Sequence, residues 1–307
     1  MTLRSLALSA ALLTTSLFAQ AQSAIPAAID QDPVPDKANP AATQTFQLPS
    51  HGALLNALVY VASGAGPHPV VLLLHGFPGN EKNLDLAQVL RRAGYDVLFF
   101  NYRGSWGSPG SFSFTNSIED VDAAIAYLRV PANATKLRAD PSSLILAGHS
   151  MGGMISAIVA ANHAKDPYIK AVVLISAANM AGRTLPAVQA NKQEAAVPQI
   201  AKGLADNGMS PLANCTPESL ARELLANAAA WDIPSLAPKL TTRPILIIAS
   251  DDGTGPSSEA LAATLTKLGD TQVKSIHITT DHSYSDHRIA LETTVLEGLT
   301  QIQLNTK

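Results

Sequence analysis

Residues 144–153 read Leu-Ile-Leu-Ala-Gly-His-Ser-Met-Gly-Gly, and this stretch decides the fold. Its apolar start is typical of a buried strand, and the longer segment after Ser150 has the period of a helix. Gly148 and Gly152 lie two positions before and two after Ser150, where larger side chains would collide with the neighbouring strand or helix. The pattern therefore predicts a strand, a sharp turn and a helix, with the Ser150 hydroxyl held at the corner.

The rest of the chain alternates in the same way between short apolar runs and longer segments of helical period. This order predicts an α/β fold with a mostly parallel central sheet flanked by helices. An antiparallel hairpin near 45–49 and 54–62 is expected at one edge of the sheet. The predicted parallel strands are 69–75, 96–102, 143–148, 170–176, 244–249 and 273–279. The predicted helices are 83–93, 115–129, 151–164, 257–268 and 286–302.

One segment, about 180–240, is too long for a simple connection between two strands. Thr216-Pro217-Glu218 has the composition of a helix start, and Leu220 and Leu224 give the following helix an apolar face. We expect an inserted helical cap over the carboxyl ends of the strands, and a plain surface excursion is the alternative.

The amino terminus has the features of an export signal. Arg4 is followed by an uncharged, mostly apolar stretch, and Ala19-Gln20-Ala21 offers small residues for cleavage. We therefore predict a signal peptide at 1–21 and a flexible linker, rich in proline, at 22–45. A domain over 46–307 follows, and the protein is expected to be secreted or periplasmic, with no stable membrane anchor.

Composition excludes several classes of function. The chain has 21 basic and 24 acidic residues, with no block of Lys and Arg, which argues against a nucleic-acid partner. The single cysteine, Cys215, cannot form a disulfide within the chain, and no Cys/His spacing is typical of a zinc site. We expect neither a metal nor an organic cofactor.

A serine hydroxyl needs an imidazole to accept its proton and a carboxylate to orient that imidazole. His282 directly follows the last predicted strand and is favoured over His287, which falls in the first turn of the last helix. Asp252 follows the preceding strand and is favoured over Asp251, although the two adjacent carboxylates remain a close choice. Ser150, Asp252 and His282 are therefore the predicted catalytic residues.

Backbone amides must also face the oxygen that becomes negatively charged during acyl transfer. The residue after the serine, Met151, is one expected donor. The loop His75-Gly76-Phe77-Pro78-Gly79 should supply the other, and Phe77 is favoured because Pro78 has no N–H. Phe77, Met151 and the cap are expected to give the site an apolar lining.

These motifs resemble those of the α/β-hydrolase family, and the resemblance spans nearly all of residues 50–304. Beside residues 75–79, 148–153 and 281–283, the loop Asn101-Tyr102-Arg103-Gly104-Ser105-Trp106-Gly107-Ser108-Pro109-Gly110 is similar to bacterial cinnamoyl/feruloyl-type esterases and to the catalytic domains of serine oligopeptidases. In that loop we expect Arg103 to have a structural role. The acid loop, Ala249-Ser250-Asp251-Asp252, departs from the family's usual glycine-led turn.

The resemblance and the residues together predict a serine hydrolase that cleaves carboxylic esters through an acyl-enzyme, with a small-molecule ester as its partner. One alternative is a small peptidase or amidase that acts on short peptides. Another is a binding protein that keeps the fold without turnover. The acyl and alcohol groups and the oligomeric state stay open at this point.

Overall fold

A single eight-stranded sheet forms the centre of the molecule, and the computed structural model describes residues 25–305. The sheet order is β1-β2-β4-β3-β5-β6-β7-β8, with β1 and β2 antiparallel and the remaining strands parallel to one another. The predicted mostly parallel sheet flanked by helices is confirmed. The strands are β1 (Ala42–Ser50), β2 (Ala53–Val61), β3 (His68–Leu74), β4 (Asp96–Phe100), β5 (Ala139–His149), β6 (Ile169–Ile175), β7 (Ile245–Ala249) and β8 (Val273–His277).

The first two strands form the expected hairpin at the sheet edge. Their pairing runs without a break from Ala42 opposite Val61 to Ser50 opposite Ala53. The two residues between the strands, 51 and 52, both have positive φ angles, which is the backbone conformation that a two-residue hairpin turn requires.

Helices cover both faces of the sheet because its central strands are apolar on both sides. In β3, Val70, Leu72 and Leu74 join one core and Val71 and Leu73 join the other, as the alternation of side chains along a strand requires. The helices are α1 (Ala27–Asp30), α2 (Leu84–Arg92), α3 (Phe114–Arg129), α4 (Pro131–Leu137), α5 (Met151–Asn162), α6 (Leu185–Gln189), α7 (Gln193–Asp206), α8 (Pro217–Ala226), α9 (Ala237–Leu240), α10 (Gly255–Lys267) and α11 (Arg288–Asn305).

The segment between β6 and β7 is helical and contains α6 to α9, together with two 3₁₀ turns at Gly182–Thr184 and Ile233–Leu236. Helix α8 starts where the sequence indicated. Thr216 accepts a hydrogen bond from the Ser219 amide, and Ser219 in turn binds the Thr216 amide. This reciprocal cap satisfies two amides that the helix leaves unpaired, so the start of α8 is fixed locally.

Part of the predicted linker contacts the domain. Helix α1 lies against α2, where the Arg92 side chain donates hydrogen bonds to the carbonyl groups of Ala28 and Ile29. Strand β1 also begins at Ala42, before the predicted start of the domain. The predicted signal peptide lies outside the described residues. Within residues 25–305, no helix combines the length and hydropathy needed to cross a membrane.

Candidate active site

Ser150 lies at a strained corner between β5 and α5. Its backbone has φ 57° and ψ −120°, a conformation that non-glycine residues rarely adopt. A Cβ atom at Gly148 would lie 2.0 Å from the Gly152 carbonyl oxygen, and one at Gly152 would lie 2.1 Å from the Leu74 carbonyl oxygen. The two glycines thus let the strand, the turn and the helix pack closely enough to hold Ser150 at the corner.

The loop after β3 lies directly against this serine. A Cβ atom at Gly76 would lie 2.9 Å from the Ser150 Cβ and 3.4 Å from its hydroxyl oxygen. The next residue, Phe77, lines the same cavity as Ser150. Met151 is the first residue of α5, and a first-turn amide has no acceptor within its own helix. Both predicted amide donors therefore belong to segments that adjoin the serine.

A hydrogen bond between His282 and Asp252 joins the loop after β8 to the loop after β7. The His282 Nδ1 donates to Asp252 Oδ2, because a carboxylate only accepts. Asp252 Oδ1 accepts from the Thr254 amide at 2.7 Å and from its hydroxyl at 2.6 Å. Burial by itself would raise the pKa of Asp252, but these hydrogen bonds outweigh it and hold that pKa well below its usual range. Asp252 is therefore a fixed anion behind the imidazole.

The imidazole of His282 is accessible while its partner is shielded. The His282 side chain is 40% exposed and the Asp252 side chain 4%, and His282 lines the cavity that contains Ser150. No hydrogen bond joins the Ser150 hydroxyl to His282 in the described part of the chain, and such contacts often tighten only when a substrate is bound.

The two competing residues lie elsewhere. Asp251 receives a hydrogen bond of 2.7 Å from His277 Nε2 on β8, and both side chains are about half exposed. His287 pairs with Asp286 at 2.8 Å and lines a groove beside α11. Neither Asp251 nor His287 lines the cavity that contains Ser150.

His149 contacts the proposed base from within the elbow, which sequence reasoning did not foresee. Its Nε2 donates to the backbone carbonyl of His282 at 2.7 Å, and the two rings lie 4.6 Å apart, centre to centre. Burial, and after it the neighbouring His282, lower the pKa of His149 to about 4. His149 is therefore a neutral ring that holds the His282 loop. The residues are 133 positions apart, so no local signal marks the contact.

A cavity of about 210 Å³ lies over the serine. The predicted apolar lining is wrong, because the cavity is lined by Phe77 together with polar residues. These are Asn80, Glu81, Asn207 and Ser283. Met151 is fully buried and is not part of the lining. The inserted segment reaches the cavity through Asn207, directly after α7. A polar wall of this kind can form hydrogen bonds with a bound molecule.

Arg103 has the structural role expected of it. Its Nε donates to Asp120 at 2.6 Å, and its Nη2 donates to Glu119 at 2.6 Å and to the Asn116 carbonyl at 2.9 Å. All three partners lie on α3. Arg103 therefore fastens its glycine-rich loop to that helix and does not line the cavity.

The described residues contain no group of three or more His, Cys, Asp or Glu side chains arranged to hold a metal ion.

Two curated proteins share parts of the sequence. The lysophosphatidylserine lipase ABHD12 of Danio rerio is 36% identical over 99 residues, which are 30% of this chain and 23% of that protein. An uncharacterized protein of Mycobacterium tuberculosis is 28% identical over 127 residues, which are 40% of this chain and 43% of that protein. The chain thus spans less than half the length of these relatives.

A family profile described as alpha/beta hydrolase fold matches residues 69–258, more than half of the chain. Est1E from Butyrivibrio proteoclasticus, solved with ferulic acid bound, superposes with a TM-score of 0.60 at 20% identity, covering 85% of this chain and 99% of that one. An esterase from Rhizomucor miehei gives a TM-score of 0.62 at 21% identity, covering 91% and 88%. At these identities the likeness is one of fold.

Proposed function

The chain belongs to the α/β-hydrolase family, and from this premise we propose that it is a serine hydrolase that cleaves carboxylic esters through an acyl-enzyme. Hydrolase activity of the esterase type is supported by the family and by the esterases that share the fold. One observation supports the serine nucleophile and the acyl-enzyme mechanism. A serine with φ 57° on a strand-to-helix turn lines the same cavity as a histidine paired with a buried aspartate.

Each of these residues has a defined role in the proposed mechanism. The Ser150 oxygen attacks the ester carbonyl while His282 Nε2 takes the hydroxyl proton, and Asp252 stabilises the imidazolium that forms. The amides of Phe77 and Met151 donate to the carbonyl oxygen as it gains negative charge. His282 then gives the proton to the departing alcohol. In the second half it takes a proton from the water molecule that attacks the acyl-serine, and it returns that proton to the Ser150 oxygen as the bond between this oxygen and the acyl carbon breaks and the carboxylic acid leaves.

The test is labelling by a fluorophosphonate, which reacts with an activated serine, followed by peptide mapping. We expect label on Ser150 and hydrolysis of p-nitrophenyl acyl esters, both lost in Ser150→Ala. Ser283→Ala removes another hydroxyl from the same cavity and should keep both activities. Label elsewhere, or Ser150→Ala turning over esters like the wild type, would refute the proposal. Turnover of aminoacyl anilides without ester turnover would replace it by a peptidase.

We also propose that the protein is exported, to the periplasm or outside the cell. The support is the sequence of residues 1–21, with one early basic residue, an apolar stretch and a small-residue cleavage site. Mass spectrometry of protein purified from cells should give a mature chain that begins near Gln22. An intact Met1 on protein that stays inside the cell would contradict the proposal.

A further inference from the structure

The cavity over Ser150 is lined by a carboxylate that forms no ion pair with any described residue. Of the described residues that line it, Glu81 is the only one with a formal charge when the histidines are neutral. No lysine or arginine is part of the lining, and within residues 25–305 no ion pair involves Glu81. A substrate bound at Ser150 therefore meets a carboxylate that no cation of the protein cancels directly.

The Glu81 carboxylate is held in place at this wall. Its Oε1 accepts a hydrogen bond of 2.5 Å from the Asn83 amide, and Asn83 has φ 52° at the start of α2. Glu81 is half-buried. Since one oxygen is fixed to the backbone, the side chain cannot swing freely into solvent, and the charge stays close to the cavity.

Two cations around this wall have partners other than Glu81. Lys82 lines a different cavity, and its ammonium lies 4.1 Å from the centre of the Trp106 ring. Arg288 donates two hydrogen bonds to Asp85 and one of 2.9 Å to the Ser283 carbonyl. Glu81 interacts with Arg288 only through charge attraction at longer range. Burial lowers the pKa of the Arg288 guanidinium, Asp85 outweighs burial and raises it, and Glu81 adds to that rise.

We propose that Glu81 is a specificity-determining residue, which makes the site select esters with positive charge next to the reacting bond and reject esters with negative charge there. The proposal rests on the ester-hydrolase function above and adds the substrate class. A carboxylate at the edge of a partly enclosed cavity attracts a cation and repels an anion within a few ångströms. Esters of quaternary or primary amino alcohols fit this wall, and esters with a phosphate or carboxylate beside the bond do not.

The experiment compares butyryl esters of three alcohols that are similar in size: cationic choline, neutral 3,3-dimethylbutanol and anionic hydroxypivalate. Each kcat/KM is divided by the rate constant of the same ester with hydroxide, which removes differences in intrinsic reactivity. In the wild type we expect the order cationic, neutral, anionic. In Glu81→Gln the cationic-to-neutral ratio should fall about tenfold, the effect of one charge at partial screening.

A matched control is Glu259→Gln, which removes the same charge from the exposed surface of α10, outside the cavity. It should leave all ratios unchanged. A second arm needs no variant, because raising the salt concentration should lower the cationic-to-neutral ratio of the wild type and raise the relative rate of the anionic ester.

The outcomes separate the two proposals. Equal corrected rates for the three esters in the wild type, a ratio unchanged by salt, or a preference that Glu81→Gln retains would overturn the role of Glu81 while ester hydrolysis stands. If the wild type failed to hydrolyse even the neutral ester, the ester-hydrolase function and the specificity that rests on it would both be refuted.

Discussion

Replacing Asp252 by asparagine is the sharpest test of the proposed proton relay. Asp252 Oδ1 accepts from the amide and the hydroxyl of Thr254, and Oδ2 accepts from His282. In Asp252→Asn the carbonyl oxygen must stay with the Thr254 amide, since two N–H groups cannot face each other. The new NH₂ group then points at His282 Nδ1. The imidazole is forced to accept there and to carry its proton on Nε2, where it cannot take a proton from Ser150.

The expected loss is large. The same tautomer change in a serine triad lowers kcat by about 10⁴-fold, which corresponds to about 5 kcal/mol of barrier at about 1.36 kcal/mol for each factor of ten. The matched control is Asp251→Asn, one residue away. Asp251 pairs with His277 at a half-exposed surface, so we expect stability to change by less than about 1 kcal/mol and activity to stay the same.

The assay is stopped-flow or steady-state hydrolysis of a p-nitrophenyl ester, with denaturant unfolding of both variants as a check of the fold. Asp252→Asn should lose kcat and keep its folded state. Loss of activity in Asp251→Asn with an active Asp252→Asn would show that the other carboxylate orients the base, and the relay described above would be wrong.

Three further perturbations test the base, the elbow and the core. His282→Gln should lower kcat by about 10³-fold or more, whereas His287→Gln, outside the cavity, should match the wild type; the reverse pattern in a p-nitrophenyl ester assay would exchange their roles. Gly152→Ala would place a Cβ 2.1 Å from the Leu74 carbonyl oxygen, and a denaturant melt should show a loss of about 3 kcal/mol or more; a loss below about 1 kcal/mol would contradict the close packing. Asp96 is fully buried, and burial raises its pKa to about 7; the folded state therefore holds a proton that the unfolded chain releases near pH 4, and the contribution of Asp96 to stability falls as pH rises from about 4 to 7. Asp96→Asn removes this loss, so the stability of the variant relative to the wild type should grow across that pH window by a few kcal/mol, roughly 1.4 kcal/mol per pH unit. Denaturant melts at several pH values measure this difference, and a constant difference would show that Asp96 does not titrate there.

Local sequence patterns predict the position of β5, but its beginning depends on pairing with a neighbouring strand. Strand β5 was expected to begin at 143, yet it begins at Ala139 because residues 139 and 140 pair with the start of β3 across a register shift. Asp140-Pro141-Ser142-Ser143 is a turn sequence by composition. Only the neighbouring strand makes the beginning of this segment extended, and a single sequence does not contain that information.

In the candidate site, too, some residues can be predicted from local sequence and others depend on tertiary structure. The Ser150 corner is visible in the sequence because its glycines are required within four residues of chain. The choice between Asp251 and Asp252 depends on β8, since His277 occupies the first and His282 the second. Glu81 lines the cavity because of the path that the loop after β3 takes, which the sequence alone does not reveal. Its neighbour Lys82, one residue on, lines a different cavity, and its ammonium lies over the Trp106 ring.

The sheet order explains why the proposed base needs so much support. Ser150 follows β5, but His282 follows β8, which lies three strands away in the order β5-β6-β7-β8. At about 4.8 Å between neighbouring strands, that separation is about 14 Å. The chain after β8 must therefore fold back across the carboxyl end of β7 to bring an imidazole near the serine, and such a loop has little sheet pairing of its own.

That returning loop is held by contacts from three directions. His149 binds the carbonyl of His282 from the elbow, and Arg288 binds the carbonyl of Ser283 from the start of α11. Tyr284 is fully buried and donates to the Ile248 carbonyl on β7 at 3.2 Å. The Asp252 carboxylate thus orients a ring whose backbone is already fixed. This division of tasks accounts for the neutral, buried His149 beside a proposed base that must change its protonation in each cycle.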